Sequence, residues 1–317
     1  MTKRVKYLII YLAVMIALTI VRISAGEGYL GNTDVQIDNT FTILTQIVCM
    51  GIIPVFTMIL IDKKDGLEVV REGLYFKKPK FKGAWLWIML LSVLNIIING
   101  GISTAWYGAI RWFGYTPVVA DGEVISTVGE FLFAIFMSAI LPAFFEEITH
   151  RGLVLNVSQG STTKRALTSA LLFGLMHQNV LQTGYTFVSG LIIAYTVLYT
   201  GSIFPAMVIH FINNACVQLR IFSASYNGLF YQGFQFIYAN MNQWWFVLIL
   251  TVLWAFALIG TFFILRHFKL RSEKAGGSVL AVEREDGDSV VAKFLWIAII
   301  AFGVITTLYS FIWGLLR

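Results

Sequence analysis

The stretch FLFAIFMSAILPAFFEEITHRG, residues 131–152, decides the fold class of this chain. Its first fifteen residues carry no charge, and two adjacent carboxylates, Glu146 and Glu147, follow them directly. The apolar character resumes up to Val154, so the whole stretch is long enough for a helix that crosses a bilayer. The feature to be explained is therefore a pair of carboxylates within an apolar helix.

The rest of the chain has the same character. Its 317 residues are 58% hydrophobic and only 13% charged, whereas charged residues make up about 25% of an average soluble domain. These runs lack the strict alternation of a membrane barrel, so we predict an all-α, polytopic bundle. We expect about nine transmembrane helices, over Val5–Ile23, Phe41–Ile61, Ala84–Ala109, Phe131–Val154, Ala166–Thr183, Thr186–Thr200, Ile203–Phe222, Trp244–Leu265 and Phe294–Leu316.

Basic residues are distributed unevenly around these spans. If the N-terminus is cytoplasmic, 19 of the 23 lysines and arginines lie on the cytoplasmic side, and only Arg22, Arg111, Arg220 and Arg317 lie outside. Cytoplasmic loops of membrane proteins carry such an excess. We therefore expect a multi-pass protein of the cell membrane with a cytoplasmic N-terminus. The net charge of +6 then indicates contact with anionic lipid, not with nucleic acid.

Polar residues within the predicted spans are concentrated between positions 131 and 222. We interpret residues 1–130 as N-terminal transmembrane helices with a cytoplasmic loop, residues 131–222 as the functional core, and residues 223–317 as an outer loop with two C-terminal transmembrane helices. An ionisable side chain at membrane depth costs about 2.5–3.5 kcal/mol on the insertion scale, so a group of them indicates a functional site.

Helical spacing sorts the ionisable groups of the fourth span. Glu147 and Arg151 are four residues apart, so they share a face and can pair. Glu146 points about 100° away from Glu147 and is therefore free of Arg151. His150 follows Glu146 by four residues. A free carboxylate with an imidazole nearby can hold and deprotonate a water molecule.

Two further spans add candidates. His177 lies in the fifth span, and His210 and Asn214 lie four residues apart in the seventh. Two donors side by side are what a developing oxyanion needs. No serine or cysteine is placed as a nucleophile for these groups, so the set predicts hydrolysis by water. Each residue alone is also compatible with a hydrogen bond or ion pair that only joins helices.

Three motifs are formed by these residues. EEITHR (146–151) fits E-E-x-x-x-R, FGLMH (173–177) fits F-x-x-x-H, and HFINN (210–214) fits H-x-x-x-N. In this order, on apolar spans, they resemble the motifs of the CAAX protease and bacteriocin-processing family, also called CPBP or Abi. Its members are intramembrane glutamate endopeptidases and include the Ras-converting enzyme. The resemblance covers roughly residues 131–222.

The resemblance implies roles for the motif residues. A catalytic glutamate with a histidine activates the water, a histidine with an asparagine forms the oxyanion pair, and a glutamate with an arginine supports the first motif. These are, in that order, Glu146 with His177, His210 with Asn214, and Glu147 with Arg151. Phe173 would pack and position its helix. His150 departs from the family, which usually has an apolar or aromatic residue there, and could tune Glu146 or face water.

Several alternatives stay open. Two histidines and a glutamate could bind zinc, although H-E-x-x-H is absent and the resemblance implies catalysis without a cofactor. Intramembrane Glu, His and Arg also suit a proton- or metal-coupled transporter, for which no inverted repeat is visible. A catalytically silent immunity or scaffold protein is a third possibility. For an enzyme, the expected substrate is a membrane-associated peptide or protein, and the compact chain suggests a bacterial source.

Overall fold

The computed structural model describes residues 2–24, 43–62, 66–116, 124–275 and 290–316. All regular structure in these ranges is helical, which confirms the predicted all-α fold. We number eleven helices in chain order: α1 (Lys3–Ser24), α2 (44–62), α3 (66–73), α4 (Ala84–Trp112), α5 (Val128–Val157), α6 (Thr162–Met176), α7 (Val180–Thr200), α8 (Phe204–Ser225), α9 (Leu229–Asn240), α10 (Trp244–Lys274) and α11 (Val290–Leu315).

Within the described residues, seven helices are long and apolar enough to cross a membrane, namely α1, α2, α4, α5, α7, α10 and α11. They match seven of the nine predicted spans. The other two predicted spans are helices as well, but α6 has only 15 residues, and polar side chains such as His210, Asn214 and Arg220 lower the hydropathy of α8. Phe41, Arg317 and half of the loop between the last two predicted spans, residues 276–289, lie outside the described residues.

The boundary between α6 and α7 differs from the predicted span over residues 166–183. Gln178 has a φ of +49°, a left-handed conformation that a right-handed helix cannot continue. The Asn179 side chain then accepts a hydrogen bond from the Leu181 N–H and so caps the start of α7. His177 therefore lies at the C-terminal end of α6 and not inside a continuous span.

The uncharged aromatic segment 223–243, predicted as an outer loop, contains a helix. α8 continues to Ser225, and α9 follows as a twelve-residue helix with no buried residue. Exposed aromatic side chains on α9, such as Phe236 and Tyr238, are typical of a helix at a membrane interface.

Helix α5 is not uniform. It contains two π-helical segments, Phe136–Ile140 and Ile148–Val154. Pro142 follows the first segment, and because proline has no N–H it cannot donate a backbone hydrogen bond to the preceding turn. The second segment directly follows the two carboxylates. Short π-helical segments occur frequently at functional sites, where they alter which side chains share a face.

The helices that carry the three motifs pack around one point. α6 packs along α7, and α8 packs against α5 and α7. α1 and α2 pack on α5 from one side, while α4 packs against α7, α8 and α10. Large apolar side chains on α10, such as Phe256, Phe262 and Phe263, are exposed. In a multi-pass membrane protein such a surface contacts lipid.

Candidate active site

Glu147 is sealed inside the bundle with Arg151. Both side chains are 0% exposed. Arg151 donates from Nη1 to Glu147 Oε1 over 3.2 Å. The Arg151 Nε and Glu147 Oε2 atoms are also 3.2 Å apart, but they lack the alignment of a hydrogen bond. The pairing predicted from helical spacing is therefore present on α5.

Two further groups hold the Arg151 guanidinium. Nη2 donates to the backbone carbonyl of Gly190 on α7 over 3.0 Å, and the guanidinium carbon lies 4.5 Å from the centre of the Phe173 ring on α6. A Cβ at Gly190 would lie 3.4 Å from Nη2 and 3.0 Å from the Phe173 ring, so only glycine permits this approach without a shift. A buried cation needs such partners to offset its lost hydration. Arg151 thus ties α5, α6 and α7 together.

Glu146, one residue earlier, has different surroundings. Its side chain is 13% exposed. Gln46 on α2 donates from Nε2 to Glu146 Oε1 over 2.9 Å. The other carboxylate oxygen, Oε2, lies 4.0 Å from His210 Nε2, which is too long for a hydrogen bond and attractive only when the His210 ring carries a proton on both nitrogens. Glu146 is therefore the more accessible carboxylate of the pair.

His210 on α8 lies between the two carboxylates. Its Nδ1 atom is 2.9 Å from Glu147 Oε1, and because an ionised carboxylate can only accept, Nδ1 carries the proton. Nε2 faces Glu146. The ring donates from both nitrogens only as a cation. With Arg151, such a cation would balance the charges of the two carboxylates.

The ring of Phe173 brings the second motif to the same cluster. Ring centres of His150, His177 and His210 lie 5.0, 5.0 and 5.7 Å from that of Phe173, all in edge-on contacts. His177 Nδ1 is 2.8 Å from the Phe173 carbonyl oxygen. A carbonyl oxygen can only accept, so Nδ1 donates, and Nε2 is the unprotonated nitrogen of a neutral His177 ring.

Asn214 lies one helical turn beyond His210 on α8. Its Nδ2 atom donates to the backbone carbonyl of Ser138 on α5 over 3.1 Å. Its Oδ1 atom accepts from Asn213 Nδ2 over 3.2 Å. The amide is thereby held in one orientation between α5 and α8.

His150 is fully buried, so the hypothesis that it faces water is wrong. Its Nδ1 atom lies 2.9 Å from the backbone carbonyl of Glu146, and its Nε2 atom lies 3.2 Å from the Tyr11 hydroxyl on α1. Both ring nitrogens are therefore directed away from the Glu146 carboxylate. The hydrogen bond between His150 and Glu146 is therefore to the backbone carbonyl and not to the carboxylate.

Five contacts to the site come from groups that the sequence analysis did not single out. They are the amides of Gln46 and Asn213, the hydroxyl of Tyr11 and the carbonyls of Ser138 and Gly190. Gln46 is a polar side chain within an apolar span, and that signal could have identified it. A backbone carbonyl leaves no signal in the sequence.

Across the described ranges, no group of three or more His, Cys, Asp or Glu side chains is arranged to hold a metal ion. The sequence-based zinc hypothesis is therefore left to a chelation experiment.

Residues 128–216 match the family model described as type II CAAX prenyl endopeptidase Rce1-like. The matched range includes all six predicted site residues, Glu146, Glu147, Arg151, His177, His210 and Asn214, but not α1, α2, α4, α10 or α11. No curated protein and no solved structure matches the chain.

Proposed function

We propose, on the basis of the match between residues 128–216 and the family model described as type II CAAX prenyl endopeptidase Rce1-like, that this multi-pass membrane protein is an intramembrane endopeptidase with a glutamate as its base. The observation that carries the proposal is the unequal environment of two adjacent carboxylates. Glu147 is sealed by Arg151, whereas Glu146 is partly exposed beside His210.

Glu146 is suited to activate the attacking water. Gln46 occupies Oε1, which leaves Oε2 as the oxygen that can take a proton. His177 supports this step, because its Nε2 atom is an acceptor when Nδ1 donates to the Phe173 carbonyl. The water oxygen then bonds to the carbonyl carbon of the scissile peptide. The proton passes through Glu146 to the leaving nitrogen as the C–N bond breaks, which yields a new carboxylate and a new amine.

His210 and Asn214 are suited to stabilise the negative charge on the carbonyl oxygen. Asn214 has a second N–H besides the one that it gives to Ser138. His210 can donate from Nε2 as a cation while Nδ1 stays bonded to Glu147. The two side chains are one helical turn apart, so both can donate to one oxyanion.

We infer that the substrate is a membrane-associated peptide or protein with an apolar flank. An open groove of about 430 Å³ lies beside the site, between α2, α3 and α5. Its lining is apolar and includes Phe144, Phe145 and Ile148, which flank the two carboxylates in sequence. A lipid chain or an apolar side chain on the substrate would fit such a surface.

Anionic lipid is a further proposed partner. The segment KKPKFK, residues 77–82, lies between α3 and α4. Lys77 pairs with Glu72 over 2.6 Å, while Lys78, Lys80 and Lys82 are exposed. Each lysine near an anionic membrane surface contributes about 1 kcal/mol to binding.

The test is cleavage of a defined peptide by the purified protein in liposomes. A fluorescent peptide that ends in a prenylated CAAX sequence is compared with the same peptide without the prenyl group. We choose this class of peptide because the matching family model is described as a CAAX prenyl endopeptidase. We expect the wild type to cleave the peptide both with and without EDTA. Glu146→Gln should not cleave it, although its thermal midpoint should equal that of the wild type. Wild-type turnover in Glu146→Gln would contradict the proposed base. Loss of activity on chelation that zinc restores would make the histidines and Glu146 metal ligands instead.

A further inference from the structure

Three asparagine side chains form a line that ends at the candidate oxyanion residue. Asn99 on α4 donates from Nδ2 to Asn213 Oδ1 over 2.7 Å. Asn213 donates from Nδ2 to Asn214 Oδ1 over 3.2 Å. Asn214 donates from Nδ2 to the Ser138 carbonyl over 3.1 Å. The line therefore joins α4, α8 and α5.

The orientation of the three amides is determined by the Ser138 carbonyl, which accepts the hydrogen bond of Asn214. The Ser138 carbonyl can only accept, so the nitrogen of the Asn214 amide must face it and the oxygen must face Asn213. The same reasoning then fixes the amide of Asn213 and that of Asn99. Pro142, four residues after Ser138, has no N–H to donate to this carbonyl. The proline thereby leaves the carbonyl available to Asn214.

An amide that could turn over would present its oxygen to the oxyanion for part of the time, and an oxygen there would repel the developing charge. The contact from Asn213 prevents that, because a turned Asn214 would bring its nitrogen against the Asn213 nitrogen and its oxygen against the Ser138 carbonyl. One N–H of Asn214 is then used by Ser138 and the other is left to donate. Pre-oriented donors of this kind are effective because they need no reorganisation during the reaction.

We propose that Asn99 and Asn213 are positioning residues that hold Asn214 as a donor to the oxyanion. The inference rests on the proposed function, since it assumes the oxyanion role of Asn214. It extends the site to α4, a helix outside the family match. Neither positioning residue needs to touch the substrate.

The chain offers a matched control on the same helix. Asn95 lies one turn before Asn99 on α4 and donates from Nδ2 to Ser189 Oγ on α7 over 3.1 Å. Both Asn95 and Asn99 are buried. A role that only joins helices would make Asn95→Leu and Asn99→Leu equivalent in every assay.

The experiment measures kcat, KM and the thermal midpoint for the prenylated CAAX peptide in liposomes. Asn213→Asp keeps the shape but places an acceptor against Asn214 Oδ1, so kcat should fall by about 10²–10³, as for loss of one oxyanion donor. Asn213→Leu and Asn99→Leu should lower kcat less, with KM nearly unchanged, while Asn95→Leu should keep the wild-type kcat. The double variant Asn213→Leu, Asn214→Ala should be no slower than Asn214→Ala, because both act through one amide.

The outcomes separate this inference from the proposed function. Wild-type turnover in Asn214→Ala would overturn the oxyanion role and this inference with it. If Asn214→Ala is slow while the Asn213 and Asn99 variants match Asn95→Leu, only the positioning role is overturned. Multiplicative losses in the double variant would also overturn it, because independent residues act additively in free energy.

Discussion

The two adjacent carboxylates of the site have different surroundings. We call Glu147 and Arg151 with their partners His210 and Gly190 the sealed side, and Glu146 with its partner Gln46 the open side. On the sealed side, Glu147 and Arg151 are 0% exposed and contact Gly190 and His210. On the open side, Glu146 is partly exposed and accepts from Gln46. Adjacent positions on a helix point in different directions, so one carboxylate enters the bundle and the other faces the site. Two glutamates that are adjacent in the sequence thus have different surroundings, and for this reason we propose different roles for them.

The largest effect on stability should follow from breaking the sealed side. Glu147→Gln leaves the Arg151 cation buried without its counter-charge, which costs about 3–5 kcal/mol when one partner of a buried pair is removed. Glu146→Gln removes a partly exposed carboxylate and should leave the free energy of unfolding nearly unchanged. Denaturation of both variants in the same detergent measures the contrast.

A double variant sharpens this contrast. Glu147→Gln with Arg151→Met removes both charges, so part of the lost stability should return. Turnover should stay low, because His210 loses the carboxylate that binds its Nδ1 atom. Equal stability and equal turnover in Glu146→Gln and Glu147→Gln would remove the distinction between the two sides.

The next largest effect concerns His210 and Asn214, the two proposed hydrogen-bond donors to the oxyanion. His210→Ala or Asn214→Ala should each lower kcat by about 10²–10³, equivalent to about 2.7–4 kcal/mol, because each removes one of the two proposed oxyanion donors. KM should change less, since the contact forms mainly in the transition state. Asn214→Ala should be the more stable of the two variants, because His210 also belongs to the sealed side. Near-normal cleavage by both would exclude the oxyanion role.

Much of the fold could be predicted from the local sequence pattern. The uncharged apolar runs predicted an all-α membrane bundle, and the four-residue spacing of Glu147 and Arg151 predicted their ion pair. Both depend on local sequence, which periodicity describes well. The break at Gln178 was not foreseen, because a left-handed residue other than glycine has no reliable sequence signal.

The partners of the site were harder to predict than its motifs. Gln46 and Glu146 are 100 residues apart in the chain, and a contact of that separation depends on how whole helices pack. The same holds for the contact of Asn99 with Asn213. A polar residue within a span signals that some partner exists. It does not say which helix supplies that partner.

A smaller effect should follow from crowding the sealed side without removing a charge. A Cβ at Gly190 would lie 3.0 Å from the Phe173 ring, 3.3 Å from Ala170 Cα and 3.4 Å from Arg151 Nη2. Gly190→Ala should therefore cost about 1–3 kcal/mol of stability, as overpacked cores do. The thermal midpoint measures this loss. Gly108→Ala on α4 is the control, because a Cβ there meets nothing within 4 Å. A thermal midpoint equal in both variants would argue against a tight contact of α7 with α6 and α5.

The smallest effect should come from the open side, at Gln46. Its amide donates to Glu146 Oε1, so it decides which carboxylate oxygen remains for the water, but it neither carries charge nor touches the scissile bond. Gln46→Leu keeps the volume and removes the donor, and we expect kcat to fall about tenfold, which is about 1.4 kcal/mol of transition-state stabilisation.

A second variant separates the effect of the lost amide donor of Gln46 from the effect of side-chain size. Gln46→Glu keeps the shape of the side chain and brings a second carboxylate against Glu146, so it should be slower than Gln46→Leu, because like charges at this distance repel. Single-turnover cleavage in liposomes measures both, beside the thermal midpoint. If Gln46→Glu is as active as the wild type, the Glu146 oxygen is not held by Gln46, and the open side would consist of Glu146 and its histidines alone.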